Sequence, residues 1–176
     1  MTEDPTKSRR GRERVRDPLF RFWFRFVYGN EDRYERLERD AYETVIKPEL
    51  PDFVSPAFET RCQEILPALY PELVFTDIGR WWYNEYEVDV VGLAKDGTMV
   101  TGECKFTASP LDYSALSSLE EHTEQIRWAP DGTAVDHEYV LFARSGFTQS
   151  VTEAAATRDD LQLVTIDQVV DPPESG

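Results

Sequence analysis

Cysteine is nearly absent. Cys62 and Cys104 are the only two, which gives neither a disulfide framework nor a zinc-ligand pattern. Histidine is as sparse, with His122 and His137 alone. Neither has Cys or His neighbours for a metal cage, and neither lies near a nucleophile motif for a triad. No apolar run reaches the roughly 18 residues a membrane span needs. Met1 to Arg16 is polar, without a signal-peptide apolar stretch. A cytoplasmic protein with no membrane segment is expected. There is no internal repeat and no G-x-x-x-x-G-K-[ST] loop, so no ATPase activity of its own is expected. Lysine is scarce too. Lys7, Lys47, Lys95 and Lys105 are the only four among 19 basic residues, against 34 Asp and Glu and a net charge of −15. An acidic, lysine-poor surface resembles that of a halophile protein, whose salt-loaded cytoplasm screens self-repulsion.

Against that background one stretch stands out. Glu87-Val88-Asp89 and Glu103-Cys104-Lys105 flank the turn Lys95-Asp96-Gly97. Gly97 suits the left-handed position of a three-residue hairpin loop. If Ala94 pairs with Thr98, Asp89 opposes Glu103 and Glu87 opposes Lys105, all on one face. A two-residue turn would shift the register by one and separate Asp89 from Glu103. Carboxylates and carbonyls are the ligands that hard cations such as Mg²⁺ prefer. Asp89 and Glu103 are the candidate metal ligands, with the Cys104 carbonyl between them. Lys105 is placed to orient or deprotonate a water and to balance charge on a pentavalent phosphate.

An acidic residue, a hairpin and then Glu-x-Lys resembles the PD-(D/E)xK nuclease superfamily. That resemblance implies an αβββαβ core of restriction-endonuclease-like fold, Mg²⁺ or Mn²⁺, and cleavage of nucleic acid, DNA above RNA. It also implies a further acidic ligand from the first core helix, where Glu59 stands. The competing reading of Glu59 is a carboxylate that complements the dipole of a first helical turn. Glu87 would be an outer neighbour of the ligands.

The chain also reads as a series of elements. Arg9 to Arg16 is the densest basic run: residues 1–40 carry ten of the arginines. The run fits phosphate contacts or a solvated tail, and residues 1–16 are expected to be disordered. Asp17-Pro18 caps a first helix, with Leu19, Phe20, Trp23, Phe26 and Val27 as its inward stripe. Its aromatic surface exceeds what one face can bury. A second helix is expected from Glu31 to Ile46, with Tyr34, Leu37, Ala41, Tyr42 and Val45 inward. A proline-bearing loop from Pro48 to Ser55 follows, then a third helix from Pro56. Strands are expected over Ile78–Tyr83, Tyr86–Leu93 and Met99–Phe106. A helix over Leu111–Arg127, a strand over Glu138–Ala143, a helix over Thr148–Thr157 and a strand over Leu161–Ile166 follow. The fold class is α/β, with residues 51–170 as the nuclease-like domain, 17–50 as a helical extension and 171–176 as a frayed tail. Trp81 and Trp82, with Arg80, are candidates for base stacking or for covering the site, and at most one Trp can serve because neighbours on a strand face opposite ways. Gln125 is a weaker candidate.

A closer resemblance rests on longer motifs: Asp17 to Val27, Phe58-Glu59, Ile78-Gly79-Arg80-Trp81-Trp82, Glu87 to Val91 and Gly102 to Lys105. Together they resemble the C-terminal domain of unknown function of archaeal AAA-type (DEXX-box) ATPases, over about residues 14–145. The resemblance implies a chain corresponding to a detached C-terminal part. It further implies a P-loop ATPase partner that the Phe20–Phe26 helix would meet. The alternative to a nuclease is then a non-catalytic docking or regulatory module.

Overall fold

Apolar-rich runs along three consecutive segments and two later ones build a five-stranded sheet, its central strands buried on both faces. A computed structural model describes residues 17–128 and 135–172 of the chain. The strands are β1 (Phe75–Tyr83), β2 (Tyr86–Ala94), β3 (Thr98–Lys105), β4 (Asp136–Ala143) and β5 (Leu161–Thr165), in the spatial order β1-β2-β3-β4-β5. β1, β2 and β3 form an antiparallel meander. β3, β4 and β5 are parallel, so their connections must cross over, which α4 (Tyr113–Thr123) and α5 (Gln149–Thr157) do. With α3 (Leu50–Leu69) ahead of β1 and α6 (Ile166–Val170) after β5, the order α3-β1-β2-β3-α4-β4 is the αβββαβ core of a restriction-endonuclease-like fold, extended by one α-β unit.

Residues 4–56 and 57–176 form separate compact units. In the second unit the core lies on both faces of the sheet. On one face Phe58, Cys62, Ile65 and Leu66 of α3 and Val169 of α6 pack on Val90, Val100, Cys104, Val140 and Phe142. Gly92 permits this approach: a Cβ there would lie 2.6 Å from Leu66 and Phe75 side-chain carbons. On the other face Leu116 and Leu119 of α4 and Val151 of α5 cover Val91, Met99 and Leu141. The buried Thr101 and Thr123 hydroxyls join β3 to α4 at 3.0 Å, so neither is left unpaired.

In the first unit Asp17 caps α1 (Pro18–Phe22), its Oδ1 accepting from the Leu19 and Phe20 amides at 2.8 and 3.2 Å. The chain then winds as a π-turn over Trp23–Val27, closed by the Tyr28 amide donating to the Trp23 carbonyl. The wider turn moves the inward face. Phe22 and Phe26 pack on Phe53, with ring centroids 4.9 to 5.8 Å apart. The expected stripe is corrected accordingly: Phe26 is buried, while Leu19, Phe20 and Trp23 are exposed.

Other expectations are also corrected. The helix from Glu31 ends at Leu37, because Glu38 takes a φ of 46°, a left-handed conformation that interrupts helical winding. It continues as a 3₁₀ turn over Glu38–Asp40 and a π-turn over Tyr42–Ile46, with Ala41 and Val45 buried and Tyr42 exposed. The Pro48–Ser55 loop is largely helix, since α3 starts at Leu50. Pro51 falls in the first turn, where its missing N–H costs nothing. α4 starts at Tyr113, not Leu111. Leu111 is held in a bridge to Phe147, donating to the Gly146 carbonyl and accepting from the Thr148 amide. Asp112 therefore becomes the cap, accepting from the Ser114 amide. The Arg9–Arg16 run, the expected disorder of residues 1–16 and the end of the tail lie outside the described residues. No helix among the described residues is long and apolar enough to cross a membrane.

Candidate active site at the β2–β3 edge

The hairpin register decides which side chains meet. Gly97 has a φ of 98°, its amide donates to the Ala94 carbonyl at 3.3 Å, and the Thr98 amide is held by Asp96 Oδ1 at 3.0 Å. The three-residue turn gives the pairs Leu93↔Met99, Gly92↔Val100, Val91↔Thr101 and Val90↔Gly102. This is the offset that sets Asp89 against Glu103. The pairing stops at Val90, and there Asp89 substitutes a side-chain bond for a backbone one: the Cys104 amide donates to Asp89 Oδ2 at 3.1 Å.

A second irregularity lies on the other side of β2. Between the pairs Gly79↔Val91 and Trp81↔Val88, β2 carries one residue more than β1. Such a bulge bends a strand and re-aims its side chains. Asp89 lies within it, opposite Arg80. From α3, Gln63 Nε2 donates to the Asp89 carbonyl at 2.7 Å. Asp89 is thus fixed from two elements, by its own carboxylate on β3 and by Gln63 on its backbone. Sequence reasoning passed over Gln63. The signal available was an amide side chain one turn beyond Glu59.

The carboxylates are nearly out of water. Side-chain exposure is 13% for Asp89, 16% for Glu103 and 18% for Glu59, against 43% for Lys105 and 39% for Arg80. Burial pushes the Asp89 carboxyl above its usual range, opposed by the Cys104 amide, Arg80 and Lys105. Burial also raises Glu103, and the Asp89 charge raises it further. Burial pulls the Lys105 ammonium down, but Glu103 and Asp89 outweigh it and its pKa is raised. Lys105 is ion-paired with Glu103. Burial lifts the Cys104 thiol well above its normal range, so it stays protonated and only its backbone can serve a cation.

The remaining expected residues divide. Glu59 reaches the site from α3 and meets Arg80 Nη1 at 3.5 Å. Glu87 is ion-paired with Arg80 Nη2, the contact the structure gives it in place of the expected Lys105. His122 Nδ1 lies 2.7 Å from the Glu87 carbonyl, and Tyr86 meets its ring edge-on at 5.4 Å. Trp82 is half exposed, and Trp81 packs into the core on the α4 face. Gln125 follows α4 with its amide donating to the His122 carbonyl.

Among the described residues no three His, Cys, Asp or Glu side chains form a ready cluster for a metal ion. The donor set nevertheless suits a hard dication. Asp89 and Glu103 are two half-buried carboxylates, and the Asp89 charge is one cause of the raised Glu103 pKa. Sites of this kind are commonly completed by water and substrate phosphate.

Known proteins give partial likenesses. The uncharacterized protein MJECL04 of Methanocaldococcus jannaschii is 30% identical over 94 residues, which is 51% of this chain and 21% of that protein. The chain therefore spans about a fifth of that relative's length. A repair endonuclease from Pyrococcus abyssi superposes with a TM-score of 0.36 at 19% identity, over 62% of this chain and 46% of the other. The EndoMS–dsDNA complex gives 0.33 at 20% identity, over 66% and 45%. The family model described as Archaea bacterial proteins of unknown function (DUF234) matches residues 23–124. That span holds Glu59, Gln63, Arg80, Asp89, Glu103 and Lys105, so the whole candidate site lies inside the match, and the chain belongs to this family.

Proposed function

We propose that the β2–β3 edge is the active site of a metal-dependent nuclease acting on nucleic-acid phosphodiesters, DNA above RNA. The observation that carries the reading is the junction of Asp89 with the Cys104 amide. It brings two half-buried carboxylates and the Glu103-paired Lys105 to one strand end. Asp89 and Glu103 would hold Mg²⁺ or Mn²⁺, with the Cys104 carbonyl between them and Glu59 in support. Bound there, the ion would supply Lewis-acid polarisation of the phosphate and a water of lowered pKa.

The chain's own residues do the rest. With Glu103 and Asp89 beside it, the Lys105 pKa is raised in the metal-free site. Lys105 would orient or deprotonate the water and offset charge on the phosphate. Gln63 and the Cys104 amide hold Asp89 in one position, which spares reorganisation during the reaction. The acidic surface opposes nonspecific binding to a polyanion, so the activity is assigned to the cytoplasm at high salt. The test is cleavage of a labelled short duplex with Mn²⁺ in molar KCl. Wild type cleaves and Lys105→Ala does not, while both give the same circular dichroism. Equal cleavage by the variant would reject the mechanism.

A second reading has its own observation. Leu19, Phe20, Trp23, Phe24 and Tyr28 are all exposed in the first unit, and grouped exposed apolar side chains mark interaction surfaces. This favours a docking or regulatory module for a P-loop ATPase, through Phe20–Phe26. Co-purification of such an ATPase with wild type but not with Phe20→Ser/Phe24→Ser supports it; a monomer without that ATPase at molar salt counts against it.

A further inference from the structure

Arg80 lies on β1 at the step where β2 carries its extra residue. Three acidic side chains from two elements meet its guanidinium. Glu59 of α3 lies 3.5 Å from Nη1, Glu87 is ion-paired with Nη2, and Asp89 Oδ1 lies 3.9 Å from the same Nη2. Glu59 and Asp89, with side chains only 18% and 13% exposed, need a compensating cation, and Arg80 provides it on one side as Lys105 does on the other.

The two oxygens of Asp89 are engaged differently. Oδ2 accepts the Cys104 amide, a bond that ties β2 to β3. Oδ1 faces Arg80. Oδ2 already spends a lone pair on that bond, so Oδ1, the oxygen Arg80 faces, is the more open approach for a cation. A guanidinium and a dication at one oxygen repel each other, the more so beside a carboxylate only 13% exposed. Arg80 also has somewhere to go, because Glu59 and Glu87 hold it when Asp89 is given up.

We propose that Arg80 is the resident counter-ion of the acidic patch, and that a divalent cation binds Asp89 only as Arg80 releases it. Metal occupancy and the Arg80–Asp89 pair then exclude each other. This inference rests on the reading of Asp89 as a metal ligand and names the residue that sets metal affinity there.

The test is Mn²⁺ calorimetry in molar KCl on wild type, Arg80→Gln, Arg80→Lys and Asp89→Asn. Arg80→Gln should bind Mn²⁺ at least tenfold more tightly than wild type, and Arg80→Lys should stay near wild type because the charge remains. Unchanged or weaker binding in Arg80→Gln, with binding still lost in Asp89→Asn, would overturn the role of Arg80 and leave the metal site standing. No Mn²⁺ binding by either wild type or Arg80→Gln, or equal binding by Asp89→Asn, would overturn the metal site and this proposal with it. A second measurement needs no variant. In a Mg²⁺ titration of wild type followed by NMR, the Arg80 Nε–H signal should move with the same midpoint as the Asp89 carboxyl carbon. An Arg80 signal that stays fixed while the Asp89 signal saturates would overturn the proposal, even if Arg80→Gln fails to fold.

Discussion

Asp89 has a structural task separable from its charge, and two substitutions distinguish them. Asp89→Asn removes the charge and keeps an oxygen for the Cys104 amide; Asp89→Ala removes both. Cys104 is buried, and its amide is bonded to the Asp89 carboxylate at 3.1 Å. Leaving a buried amide unpaired costs about 1–3 kcal/mol. For a chain of this size that corresponds to roughly 2–12 °C in Tm. Asp89→Ala should therefore melt below Asp89→Asn by that margin. Both variants lose the penalty of burying a charge, so the difference reports the hydrogen bond. Against wild type, the comparison depends on pH. The folded Asp89 pKa is raised, chiefly by burial. Its contribution to stability is full below the unfolded value, about 3.9, and is lost as pH rises through the folded value. The advantage of Asp89→Asn over wild type should grow across that window. Thermal melts between pH 3.5 and 7.5, with hydrogen exchange at the Cys104 amide, provide the assay. Equal Tm for the two variants, or a Cys104 amide equally protected in Asp89→Ala, would refute the reasoning.

Glu103→Gln should also flatten the acid-range dependence of stability, since the folded Glu103 pKa is raised by burial and by Asp89; a variant with the wild-type slope between pH 4 and 7 would contradict this. Gly92→Ala places a methyl 2.6 Å from Leu66 and Phe75, and overpacking of this kind costs about 1–3 kcal/mol. Urea unfolding should register that loss, and an unchanged midpoint would mean that α3 moves freely over β2. Gly97→Val forces a β-branched residue to a φ of 98°, a conformation close to reserved for glycine; it should destabilise the hairpin and weaken metal binding together, as measured by Tm and Mn²⁺ affinity.

The hairpin was legible because its determinants are local. A glycine at the third turn position sets the offset, and the offset carries Asp89 to Glu103 and the Cys104 amide. The order of helices and strands along the chain was legible from apolar runs and turn residues. Helix starts were less so. Leu111 belongs by pattern to the next helix, but its bridge to Phe147, far along the chain, holds it extended. Pro51 read as loop and Pro56 as a helix start, yet α3 runs through both. The short helix α6 left a local signal that went unused: Thr165 and Gln168 form a capping box. Arg80 was read only beside its tryptophans. Its acidic partners come from α3 and from β2 across a bulge, and no spacing along the chain reveals a bulge in the neighbouring strand.

The central claim, a metal-holding pair in Asp89 and Glu103, is tested most directly by Mn²⁺ calorimetry in molar KCl with a short DNA duplex present, using Lys105→Ala to prevent turnover. One saturable site, lost when Asp89→Asn and Glu103→Gln are added to that background, is the expected result. No Mn²⁺ binding with duplex present, or binding that survives both substitutions, would contradict the claim.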